Sequence, residues 1–169
     1  MRLVALSSEM IRDLATGSPV EVDGDLLEWP ADDRRVLRYR LEALAADPAS
    51  APYLLHVLLD DTAPPGSRFT GRIGCHEGPQ DGVLEIGYYV SPGHRGRGVA
   101  TRMVSDFLGW LGPRGVRRVR AAVRPDNVAS LAVLAHFGFE QVGDQWDDED
   151  GLELVYEAPV PSRPDSVHT

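Results

Sequence analysis

Residues 95–101 read Arg95-Gly96-Arg97-Gly98-Val99-Ala100-Thr101, and they join a strand-like run, Leu84-Glu85-Ile86-Gly87-Tyr88-Tyr89-Val90, to a helix-like run that continues to Leu111. A glycine-rich turn that opens a helix leaves several backbone N–H groups unpaired and pointing the same way, at the end of the helix that carries partial positive charge. Glycine lets a ligand approach the backbone closely, and arginine binds oxyanions through paired hydrogen bonds. The stretch therefore reads as a cradle for a phosphate-rich ligand. Two arginines at a helix N-terminus are unfavourable to the helix dipole unless an anion joins them.

Working outward, residues 2–6 alternate weakly as an edge strand, and Ser7 or Ser8 caps a short helix through Ala15. Residues 18–30 read as irregular. Val36, Leu37, Leu41 and Leu44 recur at helical spacing between Ala31 and Ala46. Strands follow at Tyr53–Leu59, Phe69–His76 and 84–90, joined by short turns, so they pair antiparallel. Beyond the glycine-rich turn, Val99, Met103 and Phe107 share one helical stripe. Val116–Val123 is a strand, and Pro125-Asp126-Asn127 opens a helix that Gly138 ends. Phe139–Gly143 and Leu152–Glu157 form a last hairpin across an acidic loop. A single domain is expected over residues 1–158, with 159–169 as a disordered tail.

Composition narrows the function. The 169 residues carry a formal net charge of −9, which argues against nucleic-acid binding and suits a cationic partner, although solubility alone also accounts for it. All 17 basic residues are arginine, which rules out a lysine Schiff base and the Walker-loop lysine. The single cysteine, Cys75, excludes a disulfide framework and a multi-cysteine zinc site, so no metal is expected. No apolar stretch is long enough to span a membrane, and the N-terminus lacks a signal-peptide core, which points to the cytoplasm.

A dinucleotide-binding turn fails on detail. Thr101 stands where the third glycine or alanine belongs, and the preceding strands are antiparallel. Arg95-Gly96-Arg97-Gly98-Val99-Ala100 instead resembles the pyrophosphate motif Arg/Gln-x-x-Gly-x-Gly/Ala of the GNAT family, the Gcn5-related N-acetyltransferases. The Glu-Ile-Gly-Tyr strand before it, the strand ending at Val123, and Asn127-Val128-Ala129-Ser130 followed by Gly138-Phe139 extend the likeness.

The resemblance implies an α+β fold, an α/β sandwich whose mostly antiparallel twisted sheet splays between strands 84–90 and 117–123, with flanking helices. It implies acetyl-CoA in that wedge. Val90 and Ser91 would pair with pantetheine as a strand edge does. Backbone amides from Gly96 to Thr101, through Arg97, Gly98, Val99 and Ala100, would hold the pyrophosphate, with the Arg95 and Arg97 side chains beside it. Asn127 and Ser130 would reach the pantetheine arm or the released sulfur. A homodimer is a common outcome in the family.

Acyl transfer to an amine needs a base, an oxyanion donor and a proton for the leaving thiolate. Glu85 is the base candidate. Strand alternation puts it with Gly87 and Tyr89 on the face opposite Leu84, Ile86, Tyr88 and Val90, and it matches the strand glutamate that serves as base in some GNAT enzymes. The alternative is a solvated strand residue. The oxyanion donor is expected at the Tyr89 backbone N–H, in a bulge that opens the wedge. Many members carry a tyrosine acid before Gly-Phe, where this chain has Leu134, leaving the acid open among water, Ser130 or none.

The acceptor is expected to be a small-molecule or peptide amine. Asp144, Asp147, Asp148, Glu149 and Asp150 suggest a cationic one, against the plainer reading of a solvated acidic turn. The alternative to an enzyme is a catalytically silent acyl-CoA-binding module, with a plain phosphate- or nucleotide-binding domain behind it.

Overall fold

In the computed structural model, which describes residues 1–161, the sequence condenses into nine strands and five α-helices. They are β1 (Arg2–Ala5), α1 (Ser8–Thr16), β2 (Val20–Val22), β3 (Asp25–Leu27), α2 (Arg34–Ala46), α3 (Ala51–Leu54), β4 (His56–Leu59), β5 (Phe69–Cys75), β6 (Val83–Val90), α4 (Val99–Leu111), β7 (Arg118–Val123), α5 (Val128–His136), β8 (Glu140–Asp147) and β9 (Gly151–Pro159). Seven strands make one sheet in the order β1-β4-β5-β6-β7-β9-β8, and β2 and β3 form a separate hairpin. This is the mostly antiparallel, helix-flanked sheet expected from the sequence.

The parallel pair β6–β7 positions the site. It is joined only where Val83, Leu84 and Glu85 meet Arg118, Val119 and Arg120. Past Glu85, β6 stays with β5 as far as Val90, while β7 stays with β9 as far as Val123. Each strand keeps its other partner, so the two part into a wedge with free backbone edges facing inward.

One apolar layer, on the α4 and α5 side, holds Ile73, Leu84, Ile86, Met103, Phe107, Val119 and Leu134. The other, on the α1 and α2 side, holds Ile11, Leu14, Leu37, Leu44, Val57 and the hairpin residues Val20, Val22 and Leu27. Burial of Val99, Met103, Val104, Phe107, Leu108 and Leu111 fixes α4 against the sheet, each side chain contributing about 1.5–3 kcal/mol before entropy is counted. The cradle at the start of α4 is thus attached to a rigid rod.

Several local expectations change. Residues 18–30 are not irregular: Asp23 (φ 50°) and Gly24 (φ 83°) form the two-residue turn of the β2–β3 hairpin, and Asp-Gly favours that turn because both positions need positive φ. The strand expected from Tyr53 begins at His56, since Pro52 starts the helical turn α3 and Tyr53 and Leu54 complete it. The last hairpin is longer than expected, so Asp144 and Asp147 belong to β8 and not to a loop. At the C-terminal boundary, β9 continues to Pro159, and Val160 is buried with its N–H donating to Arg117 O at 2.9 Å. The tail beyond residue 161 lies outside the described residues. No helix among the described residues is long and apolar enough to cross a membrane.

Gly74 of β5 is the tightest backbone crossing. A Cβ there would lie 2.0 Å from Leu54 O, and backbone cannot move aside as a side chain can. Gly74→Ala is expected to lower stability by about 3 kcal/mol or more. Urea unfolding checks it; a midpoint unchanged from wild type would mean that α3 and β5 separate freely.

Candidate active site

The cradle forms as its residue types require. Gly96 and Gly98 have φ of 71° and 74°, in the left-handed region that side chains strain to adopt. Gly98 is the N-cap of α4, contributes no side-chain cap, and no acidic residue occupies the first turn. The first intrahelical bond runs from Arg102 N to Gly98 O at 2.9 Å, so the N–H groups of Val99, Ala100 and Thr101 have no acceptor within the helix.

These donors open on a cleft of about 450 Å³ that runs along the wedge between β6 and α5. Of the residues singled out in the sequence, Val90, Arg95, Gly96, Gly98, Val99, Ala100, Thr101, Asn127 and Ser130 line it; Ser91 and Arg97 do not. Arg97 is exposed. The backbone of Ser91 is already used: its N–H donates to Thr70 O at 3.0 Å and its carbonyl accepts from His94 N at 2.8 Å. Tyr88, His94, Ala129 and Val133 line the cleft although the sequence reading did not name them. Val133 is one helical turn beyond Ser130, which could have identified it.

The Ser91–Thr70 bond also fixes which amides face the wedge. Antiparallel strands alternate their N–H groups between the two sides, and Arg72 and Tyr89 are register partners. The Tyr89 N–H is therefore directed to β5, and the N–H groups of Tyr88 and Val90 face the wedge. The pairing of β6 with β5 shows no register shift from Ile86 to Val90. The expected bulge is absent, and the wedge opens by divergence from β7. Tyr88 and Val90 thus replace Tyr89 as the strand's available donors. The Val90 carbonyl accepts from Arg95 Nε at 3.0 Å, which pins that arginine across the strand edge.

Asn127 caps α5, its Oδ1 accepting from Ser130 N at 3.1 Å. Asn127 also lines the cleft. The Tyr88 hydroxyl donates to Ser130 O at 3.4 Å, which brings a phenol from β6 across to α5. Burial raises the Tyr88 pKa, partly offset by that bond, so the group is a protonated phenol at neutral pH. Leu134 is fully buried in the core and offers no proton.

Glu85 stands at the closed end of the wedge, its side chain 26% exposed and its Oε1 3.6 Å from His76 Nδ1. Burial raises its pKa; Arg120 opposes the shift, and Glu153 and Glu77 add to it. Arg120 is held by Glu157 at 2.8 Å and does not neutralise Glu85 outright. The acidic hairpin therefore borders this carboxylate through Glu153. Much of its charge is spent internally, however. Glu149 and Asp150 pair with Arg35, and Asp147 accepts from the N–H groups of Glu149 and Asp150 at 2.8 Å each. Cys75 is buried, its thiol pushed up to about 12, as suits a core residue. Trp146 is exposed, whereas Trp29 is buried beside the site.

On the other face of β6, Trp29, Asp33, Phe69, Arg72 and Tyr89 surround a second cleft of about 400 Å³. The Arg72 guanidinium lies 5.0 Å from the Trp29 ring and 4.8 Å from the Tyr89 ring. Tyr89 lines both clefts. It is the wall between them.

This geometry can be set against known proteins. The family model for the acetyltransferase (GNAT) domain matches residues 5–140, and the chain belongs to that family. Two curated relatives are similar in part. The L-2,4-diaminobutyric acid acetyltransferase of Nocardia farcinica is 41% identical over 46 residues, 27% of this chain and 24% of the relative. The phosphinothricin N-acetyltransferase of Streptomyces coelicolor is 28% identical over 101 residues, 59% of each chain. The matches thus span about a quarter and about three-fifths of those relatives' lengths. Among solved structures, the ribosomal-protein-S5-alanine acetyltransferase of Vibrio fischeri has a TM-score of 0.63 at 16% identity, covering 94% of this chain and 92% of that one. A phosphinothricin acetyltransferase from Sinorhizobium meliloti, solved with acetyl-CoA, has a TM-score of 0.61 at 16% identity, covering 99% and 92%. These likenesses show the fold.

Proposed function

We propose that the protein is an N-acetyltransferase that moves the acetyl group of acetyl-CoA to a primary amine by direct attack within a ternary complex. The observation that carries this reading is the single cleft joining unpaired amides at the start of α4 to a free strand edge at Val90. A pyrophosphate suits the first and a pantetheine amide the second. Pairing pantetheine with the Val90 carbonyl requires Arg95 to leave it, and the pyrophosphate gives that guanidinium a better partner.

Each remaining requirement has a residue. Glu85, its pKa raised toward working pH, takes the proton of the attacking amine, directly or through water. The Tyr88 N–H, turned into the wedge further along β6 toward Glu85, stabilises the developing oxyanion, while Val90 pairs with pantetheine. As the C–S bond breaks, Tyr88 supplies the proton that the thiolate accepts. Tyr88→Phe is expected to lower kcat about 10-fold or more with the KM for acetyl-CoA unchanged. Steady-state kinetics check this; equal losses in kcat and in acetyl-CoA affinity would make Tyr88 a packing residue.

The acceptor is an amine. The curated relatives are named for a diamino acid and for phosphinothricin, and the Vibrio fischeri neighbour for a ribosomal protein. A panel of small amines and peptides, scored by release of the CoA thiol, tests the proposal: turnover with at least one primary amine is expected. The buried Leu134, where many members place a phenol, keeps a second reading open, that of a silent acyl-CoA-binding module. Acetyl-CoA binding without thiol release on any acceptor would establish that reading instead.

A further inference from the structure

We propose that the second cleft, at Trp29, Arg72 and Tyr89, is the acceptor subsite, and that Arg72 there binds the carboxylate of a small amine carrying one. The assignment of this cleft to the acceptor rests on the acetyltransferase reading; the preference for a carboxylate rests on the cleft itself.

Arg72 is 8% exposed, and its Nε is buried with no acceptor among the described residues. Asp33 holds Nη2, but a guanidinium has five N–H donors, and one carboxylate oxygen does not satisfy them. A second arginine is in the same position. Arg40, on the buried face of α2 between Leu37 and Leu44, is 5% exposed, its Nε has no acceptor, and no described carboxylate pairs with it. Burial lowers Arg40 to about 10, and the charge of Arg72 contributes to that lowering, so the two cations sense each other through the interior. Two buried arginines with spare donors are costly unless an anion joins them. Glu28 and Asp33 also line the cleft and Arg40 does not, so the preference for an anion comes from the unused, buried donors of Arg72 and not from the net charge of the lining.

The cleft also fits the rest of such a molecule. Trp29 and Tyr89 offer apolar faces for a short aliphatic stem, and Tyr89 separates it from the donor cleft, so a ligand here is one side chain away from the wedge. Along β6, Tyr89 and Glu85 lie on one face about 13 Å apart at the usual strand rise. Gly87 lies between them without a side chain, and a Cβ there would only touch His76 at 3.9 Å. An acceptor laid along that face has its carboxylate at Arg72 and its amine directed toward Glu85. The favoured class is an amino acid whose amine is separated from its carboxylate by a short chain.

The test uses ω-amino acids of three to six carbons and their carboxamides, titrated by calorimetry into wild-type protein saturated with CoA. The acids are expected to bind about 10-fold or more tightly than the amides, as a charge-assisted pair does. Arg72→Gln is expected to erase the difference, and Arg72→Lys to keep part of it, with CoA affinity held within about twofold. Arg40→Met is expected to narrow the difference without removing it. Equal binding of acid and amide by the wild type, or full discrimination in Arg72→Gln, overturns the proposal; the wild-type comparison needs no variant to fold. Thiol release measured on the same compounds separates the two readings. Discrimination without turnover counts against the enzyme and leaves the subsite; turnover without discrimination does the reverse.

Discussion

Thr101→Asp is expected to make the protein more stable and to cost it acetyl-CoA. Thr101 is the third residue of α4, in a first turn that contains no acid and whose amides lack helical acceptors. A carboxylate there complements the helix dipole by about 0.3–1 kcal/mol, which for a chain of this length raises Tm by about 1–3 °C. The same carboxylate faces the position assigned to the pyrophosphate. Two unit charges about 5 Å apart repel by about 3 kcal/mol at an effective dielectric near 20, so affinity should fall about 100-fold or more. Thr101→Asn, similar in shape and uncharged, should bind within a few-fold of wild type. Thermal melts and calorimetry on the three proteins check both signs. A more stable Thr101→Asp protein that binds acetyl-CoA normally would remove the anion from the start of α4.

Glu85→Gln has the second large expected effect, again with opposite signs for activity and stability. Loss of the base should lower kcat by about 100-fold or more. The raised pKa of Glu85 comes first from burial, so the folded protein disfavours its charged form. Activity needs that charged form, and kcat/KM should therefore rise with pH through a value above the ordinary carboxylate range. The glutamine variant should lack that limb. Stability runs the other way. An acid whose pKa is raised by folding costs stability as pH climbs from the unfolded value, about 4.3, through the higher folded value. Above that window Glu85→Gln should melt higher than wild type, and below about pH 4 the two should coincide. A variant that loses stability at neutral pH without losing the kinetic limb would make Glu85 a structural residue.

The parts of the fold that were legible in the sequence are those in which local chemistry decides. Gly96 and Gly98 need positive φ, and the Met103 and Phe107 stripe needs a sheet to cover it. Together they place the cradle, its rod and the strand before it. The Asp23-Gly24 turn has the same local signature, but strands of three residues carry too little alternation to mark a hairpin around it. What could not be read was set by register and by distance along the chain. Ser91 and Tyr89 looked free until the bond from Ser91 to Thr70 fixed the direction of every amide in β6. Arg95 fills the specified position of the motif and Arg97 an open one, but both carry the same charge beside the helix start, and only Arg95 lines the cleft. Tyr88 needs β6 and α5 to meet, and the Arg72 cleft draws on the segment after β3 and on strands β5 and β6. No spacing along the chain encodes that meeting.

The central claim is that one wedge, with α4 at its mouth, takes an acyl-CoA by its pyrophosphate and pantetheine together. Calorimetric titration of the wild-type protein with acetyl-CoA and with acetyl-pantetheine, which lacks the pyrophosphate, tests it most directly. The expected result is saturable binding of acetyl-CoA at one site per chain, with acetyl-pantetheine about 100-fold weaker or more and the difference largely gone in Thr101→Asp. Equal affinity for the two compounds, or binding of ATP with none of acetyl-CoA, would contradict it.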